Sequence, residues 1–278
     1  MIAFDFEYYK PDTVEDAIKL YNELNSNGKK PIYYSGGTEF ISMARMNNRY
    51  TEAVIDIKGI PECNIHEIRN NKLIMGSAIT LTQISEANYF PLLGYIVRRI
   101  ADHTIQDKIT LGGNLIGTII YRESTLALLL SNSDIVLQGS NGKRTVPISD
   151  IYDKKICIEE DEILVQVIVD EKFLNLPYRH VKRTKHEKID YPLITMAAVK
   201  NDDKILIAFS GLCQYPFRSL AIEEILNDSS LSKNEKTKKI IENIPDEILN
   251  DIGGSSEYRK FILHDILSRV FDKFQEVS

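Results

Sequence analysis

The sequence predicts an α+β protein of two parts, and three observations carry that prediction. The 278 residues exceed the usual size of one domain, so two domains are the starting expectation. A run of β-formers followed by Gly-Gly, a small polar residue and an apolar helical pattern occurs twice, at Ser35-Gly36-Gly37-Thr38 and Thr110-Leu111-Gly112-Gly113-Asn114. Near residue 173 the pattern changes to three β-rich runs followed by three helical ones.

Taken in order, residues 4–9 read as a strand closed by Lys10-Pro11. Thr13 caps a helix whose apolar face is Val14, Ala17, Ile18, Tyr21 and Leu24, ended by Asn27-Gly28. Pro31–Tyr34 is a strand that stops at the first glycine pair, with a helix starting beyond it. Residues 54–57 form a short strand. Residues 65–68 and 73–76 form a hairpin across Asn70-Asn71. A helix over residues 92–101, with Leu93, Ile96, Val97 and Ile100 on one face, leads to the second glycine pair. A short helix follows at 125–130, then strands at 135–137 and 144–146 around Ser140-Asn141-Gly142, and a strand at 164–169. The three later strands fall at 178–182, 195–199 and 205–213. Residues 227–248 are charged and fragmented and read as solvated helices and loops. The last helix carries Tyr258, Phe261, Ile262, Ile266, Val270 and Phe274 as one stripe.

Composition excludes several function classes. A hydrophobic content of 43% supports a real core, but no run approaches a membrane span. The first residues lack a basic segment before an apolar block, so no signal peptide is expected there. A net charge of −6 argues against nucleic acid as a partner. Cys63, Cys157 and Cys213 are scattered and odd in number, which points to reduced thiols and a cytoplasmic setting. They also argue against an iron–sulfur cluster held by this chain alone. The five histidines form no ligand-spaced pair, and no Walker loop, GxGxxG or HExxH is present, so hydrolase or metal chemistry has nothing to rest on.

The glycine pairs carry the chemistry. Glycine has no Cβ to keep a phosphate from the backbone, and N–H groups at a helix start hold partial positive charge. One such turn is commonly just a geometric solution to joining strand and helix. Two of them about 75 residues apart can clamp one diphosphate from both sides, as a dinucleotide requires.

Ser35-Gly36-Gly37-Thr38-Glu39-Phe40 resembles the Ala-Gly-Gly-Thr-Asp-Leu loop of the FAD-binding subunits of molybdenum hydroxylases. Thr110-Leu111-Gly112-Gly113-Asn114-Leu115 resembles their Thr-Ile-Gly-Gly-Asn-Leu loop. Ile60-Pro61-Glu62, Gly76-Ser77-Ala78-Ile79-Thr80 and Glu257-Tyr258-Arg259 extend the likeness to the xanthine dehydrogenase and carbon monoxide dehydrogenase family over nearly all the chain. The resemblance implies a two-lobed fold of the vanillyl-alcohol-oxidase (PCMH) type over residues 1–173, with lobes of about 1–56 and 57–173. A C-terminal domain of three strands and helices would occupy 174–278. It implies FAD bound without a covalent link. Tyr33, Tyr34, Ser35, Gly36, Gly37, Thr38, Glu39 and Phe40 would form one side of the site, and Thr110, Gly112, Gly113 and Asn114 the other. Ile163 and Leu164 would pack on the isoalloxazine ring, although either could equally be plain core. Tyr191 would stack near the ring. Lys182 would stabilise the negative charge of reduced flavin, although it lies in a basic run of the kind that is usually a solvated face.

Two departures stand out. Glu123 replaces the aspartate found nine residues after the asparagine, and the adjacent Arg122 could serve as its surface partner. Gln106 replaces an arginine before the second loop. By resemblance, the partners are a molybdopterin-binding large subunit and a [2Fe-2S] small subunit. Electrons would pass from those clusters through FAD to NAD or another acceptor, in a multi-subunit molybdenum-containing dehydrogenase. The alternative is a flavin-free scaffold or assembly subunit of the same complex, for which the two departures are the support.

Overall fold

The computed structural model describes residues 2–186 and 189–275, with side chains to Val270. A three-stranded parallel sheet opens the chain, with Ala53–Asp56 between Glu7–Tyr9 and Pro31–Tyr34. The first strand is shorter than expected. Its ladder starts at Glu7↔Ala53, and the Glu7 N–H already bonds the Glu52 carbonyl, so Phe4 lies outside the sheet and packs beside Phe40. Helix Val14–Ser26 follows the expected pattern. Thr13 Oγ1 accepts the Asp16 N–H, and the five apolar positions are all buried.

A five-stranded antiparallel sheet comes next, in the order His66–Arg69, Lys72–Gly76, Ile163–Asp170, Asp134–Gly139, Gly142–Pro147. Its first hairpin turns on Asn70 and Asn71, both at positive φ, as a two-residue turn matched to strand twist requires. Between the second strand and the fourth, short helices pack on one sheet face. Among them are Pro91–Val97, Leu111–Ile116 and Thr125–Leu130. The helix expected to reach residue 101 stops at Val97, and Ala101 takes a left-handed conformation.

The third sheet has four strands, not three: Tyr178–Thr184, Pro192–Asn201, Lys204–Ser210 and Phe217–Arg218. The fourth is two residues long, too short to show any alternation in sequence. The third ends at Ser210 because Gly211 turns at φ +81. Three helices follow, Leu220–Asn227, Lys233–Glu242 and Ser256–Gln275.

The apolar stripe of the last helix is displaced from its expected face. Tyr258 and Phe261 are 50% and 70% exposed, whereas Ile262, Leu263, Ile266, Leu267 and Val270 are buried. Arg259 sets this rotation by taking the buried position of the first turn. Its guanidinium donates to the carbonyls of Leu193 and Gly211 and to Asp251. The Phe274 side chain lies outside the described residues.

One core joins the five-stranded sheet and the helices over residues 81–130 to Ala197, Val199 and Ala208 of the third sheet. A second fills the other face of that third sheet. A third lies between helix Val14–Ser26 and the first sheet, and reaches Val136, Ile163 and Val165. All three cysteines are free thiols. Among the described residues no helix is long and apolar enough to cross a membrane, and no metal-binding group of acidic, His or Cys side chains is gathered.

Candidate cofactor cleft

Strand Pro31–Tyr34 delivers the chain to Ser35 and Gly36, and Gly37 caps helix Thr38–Arg45 with φ +68. A Cβ on Gly37 would lie 2.3 Å from the Tyr34 ring, so both backbone conformation and space demand glycine. A Cβ on Gly36 would lie 1.8 Å from the Lys108 carbonyl oxygen. The first glycine pair is therefore pressed against the segment that leads to the second. Among the described residues, the N–H groups of Ser35, Gly36, Gly37, Thr38 and Glu39 have no acceptor. The Ser35 hydroxyl is buried without a partner.

The second pair is built differently from the expectation. Thr110 forms a single bridge with Thr80 and caps helix Leu111–Ile116, so Gly112 and Gly113 sit inside a helical first turn, not in a loop. Their N–H groups are already engaged, Gly112 with the Ser77 carbonyl at 2.8 Å and Gly113 with Thr110 Oγ1 at 3.3 Å. The Asn114 N–H bonds the Thr110 carbonyl at 2.9 Å. This side contributes a bare surface more than donors. A Cβ on Gly112 would meet Ser77 at 2.7 Å, whereas one on Gly113 would meet only Thr110 Oγ1, at 3.0 Å. The side-chain carbonyl of Asn114 accepts from the Ser124 hydroxyl.

Between the two pairs lies a cleft of about 300 Å³. Of the expected residues, Tyr33, Tyr34, Ser35, Gly112, Gly113, Ile163 and Leu164 line it. Tyr33 stacks on Tyr21 at 4.9 Å and donates to the Asp161 carbonyl at 2.9 Å. Burial pushes its hydroxyl pKa well up, so it remains a proton donor. Phe40 does not face the cleft; it is buried in a small core with Ala44 and Val54. The Glu39 carboxylate is also turned elsewhere. It accepts from the Thr118 N–H (3.0 Å), the Thr118 hydroxyl (2.8 Å) and the Ile119 N–H (3.3 Å), tying helix Thr38–Arg45 to the segment after the second glycine pair.

Glu123 and Lys182 are brought together, but with each other and not into the cleft wall. Lys182 Nζ lies 2.7 Å from Glu123 Oε2, with side chains 1% and 4% exposed. Thr195 donates to the other carboxylate oxygen at 2.6 Å, and Lys182 also donates to the Arg99 carbonyl at 2.7 Å. Burial pushes the Glu123 carboxyl up, and Lys182 beside it pulls the other way. Arg122 is not its surface partner. It is itself buried, at φ +28, and donates to the carbonyls of Gly117 and Lys154. Gln106, the other departure, is buried and its amide donates to the carbonyls of Arg98, Ile100 and Ala101, closing the end of helix Pro91–Val97.

Sequence reading missed Arg49, Ser77, Glu160 and Glu162 in the cleft wall. Arg49 lies in a stretch without periodicity or motif, so nothing in the sequence singles it out. Its guanidinium is 3.8 Å from Glu39, whose oxygens already have closer donors. Glu162 is held by Arg144 in a two-point contact of 2.7 and 2.8 Å. Chemically the cleft suits an elongated ligand with an anionic centre. It offers unshared N–H donors at a helix start, a nearby guanidinium and apolar walls.

Residues 4–170 match the family described as FAD binding domain in molybdopterin dehydrogenase. The chain belongs to that family. It is similar to the nicotinate dehydrogenase FAD-subunit of Eubacterium barkeri, 25% identical over 82% of this chain and 81% of that protein. It is likewise similar to the nicotine 6-hydroxylase medium subunit of Paenarthrobacter nicotinovorans, 26% identical over 94% of each. Carbon monoxide dehydrogenase from Hydrogenophaga pseudoflava shares the fold, with a TM-score of 0.85 at 23% identity over 97% of this chain and 96% of that one. Quinoline 2-oxidoreductase from Pseudomonas putida 86 does so too, at 0.85 and 19% over 98% of both. The protein is an oxidoreductase flavoprotein and its cofactor is FAD. The residues present fit that cofactor, because the N–H groups of Ser35 to Glu39 have no acceptor and the buried hydroxyl of Ser35, a cleft-lining residue, has no partner.

Proposed function

We propose that the chain is the FAD-bearing medium subunit of a three-part molybdenum hydroxylase of the xanthine dehydrogenase and carbon monoxide dehydrogenase type. The observation that carries this reading is the row of unshared N–H groups from Ser35 to Glu39 that begins at the wall of a cleft also lined by Gly112 and Gly113. The chemistry that bound FAD supplies is the acceptance of single electrons from [2Fe-2S] clusters of a small subunit, fed by a molybdopterin-binding large subunit, and their release as a pair to NAD or another acceptor.

On this reading the backbone from Ser35 to Glu39 and the Thr38 hydroxyl hold the diphosphate, and Arg49 adds the positive charge that the glycine turns lack. Gly112 and Gly113 let the cofactor approach the second helix, and the Asn114 amide faces its polar chain. Tyr33, Tyr34, Ile163 and Leu164 wall the apolar parts. Thr110, Glu39 and Phe40 act one step back, fixing the two helix starts. Lys182, its amine held by Glu123 and the Arg99 carbonyl, stands outside the cleft lining, so on this reading it acts on the ring only through the charge of that buried pair. No side chain need act as acid or base. The three larger sheets support two lobes over about 1–56 and 57–173 and a C-terminal domain over 174–278. The free thiols favour a cytoplasmic site of action.

The test is a visible absorption spectrum of the purified chain before and after dithionite. A flavin spectrum that bleaches, with FAD released on denaturation, is expected. A colourless chain that stays colourless with added FAD would overturn the reading in favour of a scaffold subunit.

A further inference from the structure

The first glycine turn is held by a lysine that takes no part in lining the cleft. Ile57–Gly59 forms one short helical turn directly after strand Ala53–Asp56. From that turn Lys58 makes three contacts. Its Nζ lies 2.7 Å from Asp56 Oδ2, donates to the Ser35 carbonyl at 3.0 Å and stands 4.5 Å from the centre of the Tyr34 ring. The Lys58 side chain is 43% exposed, but its anchor is not: that of Asp56 is 3% exposed. Asp56 is fixed in turn, because it also accepts the Tyr8 hydroxyl and the Lys58 N–H.

These contacts bear on the backbone donors of the turn. A peptide unit is planar and trans, so its carbonyl and its N–H point opposite ways. Holding the Ser35 carbonyl therefore fixes the direction of the Gly36 N–H, one of the unshared donors. The Tyr34 contact acts on the next residue. Gly37 lies so close to the Tyr34 ring that a Cβ there would come within 2.3 Å of it. A cation set against that ring holds in place the surface on which Gly37 rests. Glycine has more backbone freedom to lose than any other residue, so a turn ordered in advance binds its ligand with less entropy still to give up.

We propose that Lys58 is a positioning residue for FAD: anchored by Asp56, it presets the Ser35–Gly36 peptide and the Tyr34 ring so that the first turn is ready for the diphosphate. The proposal rests on the flavin reading, since the turn needs presetting only if it takes that diphosphate. Lys58 acts through the turn and is assigned no contact with the cofactor. Lys172 provides the control for charge alone. It lies 3.7 Å from Asp170, also two residues before it, and 5.1 Å from the centre of the Phe173 ring, outside the cleft lining. It repeats the surroundings of Lys58 with no glycine turn to hold.

The test is titration of the flavin-stripped full chain with FAD, followed by flavin fluorescence, beside the unfolding temperature of each stripped variant. Lys58→Met should bind FAD about 10-fold more weakly, as loss of a charged hydrogen bond predicts. Its unfolding temperature should fall by no more than a few degrees, because Asp56 keeps two other donors. Lys58→Arg should recover most of the affinity, since a guanidinium can also donate to a carbonyl and stack on an aromatic ring. Lys172→Met should bind as wild type does. Equal affinity in wild type and Lys58→Met would overturn the proposal. So would an equal loss in Lys172→Met, which would make the effect one of net charge. A Lys58→Met chain that fails to fold, or a Lys58→Arg chain that recovers no affinity, would do the same, by making Lys58 a residue of the fold alone. The wild type separates the two possible failures. If it takes up no FAD, the cofactor reading falls and takes this proposal with it; if it binds FAD and Lys58→Met binds equally well, this proposal falls alone.

Discussion

Gly36 and Gly113 belong to the two glycine pairs yet answer to different constraints, which allows folding and binding to be separated by substitution. A methyl group on Gly36 would be driven into the Lys108 carbonyl, a backbone atom that cannot swing away. Gly36→Ala should therefore destabilise the chain by about 2–4 kcal/mol and remove FAD with it. Gly113 is exposed in a helical turn, where a methyl group meets only the Thr110 hydroxyl. Gly113→Ala should leave the unfolding temperature unchanged or slightly higher, since alanine gains about 0.5–1 kcal/mol over glycine in a helix. Its FAD content should nonetheless fall, because the added group stands in the cleft wall. Thermal unfolding and flavin-to-protein ratio, measured on both variants, check this. A Gly113→Ala protein with full flavin content would show that the cofactor does not lie against the second helix. At this scale the sequence was informative where chemistry depends on backbone and silent where it depends on approach through space. The glycine pairs are legible because few residues tolerate their geometry. Arg49 and Glu162 are ordinary charged residues until the fold carries them to a cavity wall.

At the level of elements, what could be read depended on whether a segment's own chemistry decided its structure. Helix Val14–Ser26 was legible because Thr13 caps it and its apolar positions recur at helical spacing. The hairpin at Asn70-Asn71 was legible because asparagine tolerates the left-handed turn. The second glycine pair looked like strand, loop and helix, but tertiary contacts with Ser77, Ile79 and Thr80 override that pattern and start the helix at Leu111. The last helix misled because Arg259, polar by composition, occupies the buried face. One element-level contact also sets a pH dependence. Arg144, in strand Gly142–Pro147, donates twice to Glu162 at the mouth of the central strand and holds that carboxyl below its usual 4.5. A lowered folded value means that the unfolded chain binds the proton more readily. This contact's stability is therefore full above pH 4.5 and is lost as pH falls through the folded value. Because Arg144 is 40% exposed, the share is about 1 kcal/mol, reduced by salt. Urea midpoints of wild type and Glu162→Gln should differ at pH 7 and draw together as pH falls below 4.5; a gap that stays constant into acid would refute the assignment.

Across the whole molecule, the two parts anticipated on either side of residue 173 are joined by more than a linker. Ala197, Val199 and Ala208 complete a core whose other members include Leu126, Leu128 and Leu130. The Glu123 carboxylate has its partners, Lys182 and Thr195, on the far side of that boundary. Ser210 donates to the Tyr121 carbonyl, Arg218 to that of Leu129, and Tyr152 to that of Pro216. Length and the change of pattern near residue 173 suggest a division, but they carry no information about what crosses it, since contacts between distant segments leave no local periodicity. Cutting there would expose the leucine face of helix Thr125–Leu130 and strand Glu123 without its cation. A carboxylate buried alone costs about 3–5 kcal/mol, a large part of the stability of a domain this size. The full chain should accordingly unfold in a single calorimetric transition, and a fragment of residues 1–173 should aggregate or fail to take up FAD. Two resolved transitions, or a fragment that binds FAD as tightly as the full chain, would show instead that the first part is self-sufficient and that the Glu123–Lys182 pair forms only after it has folded.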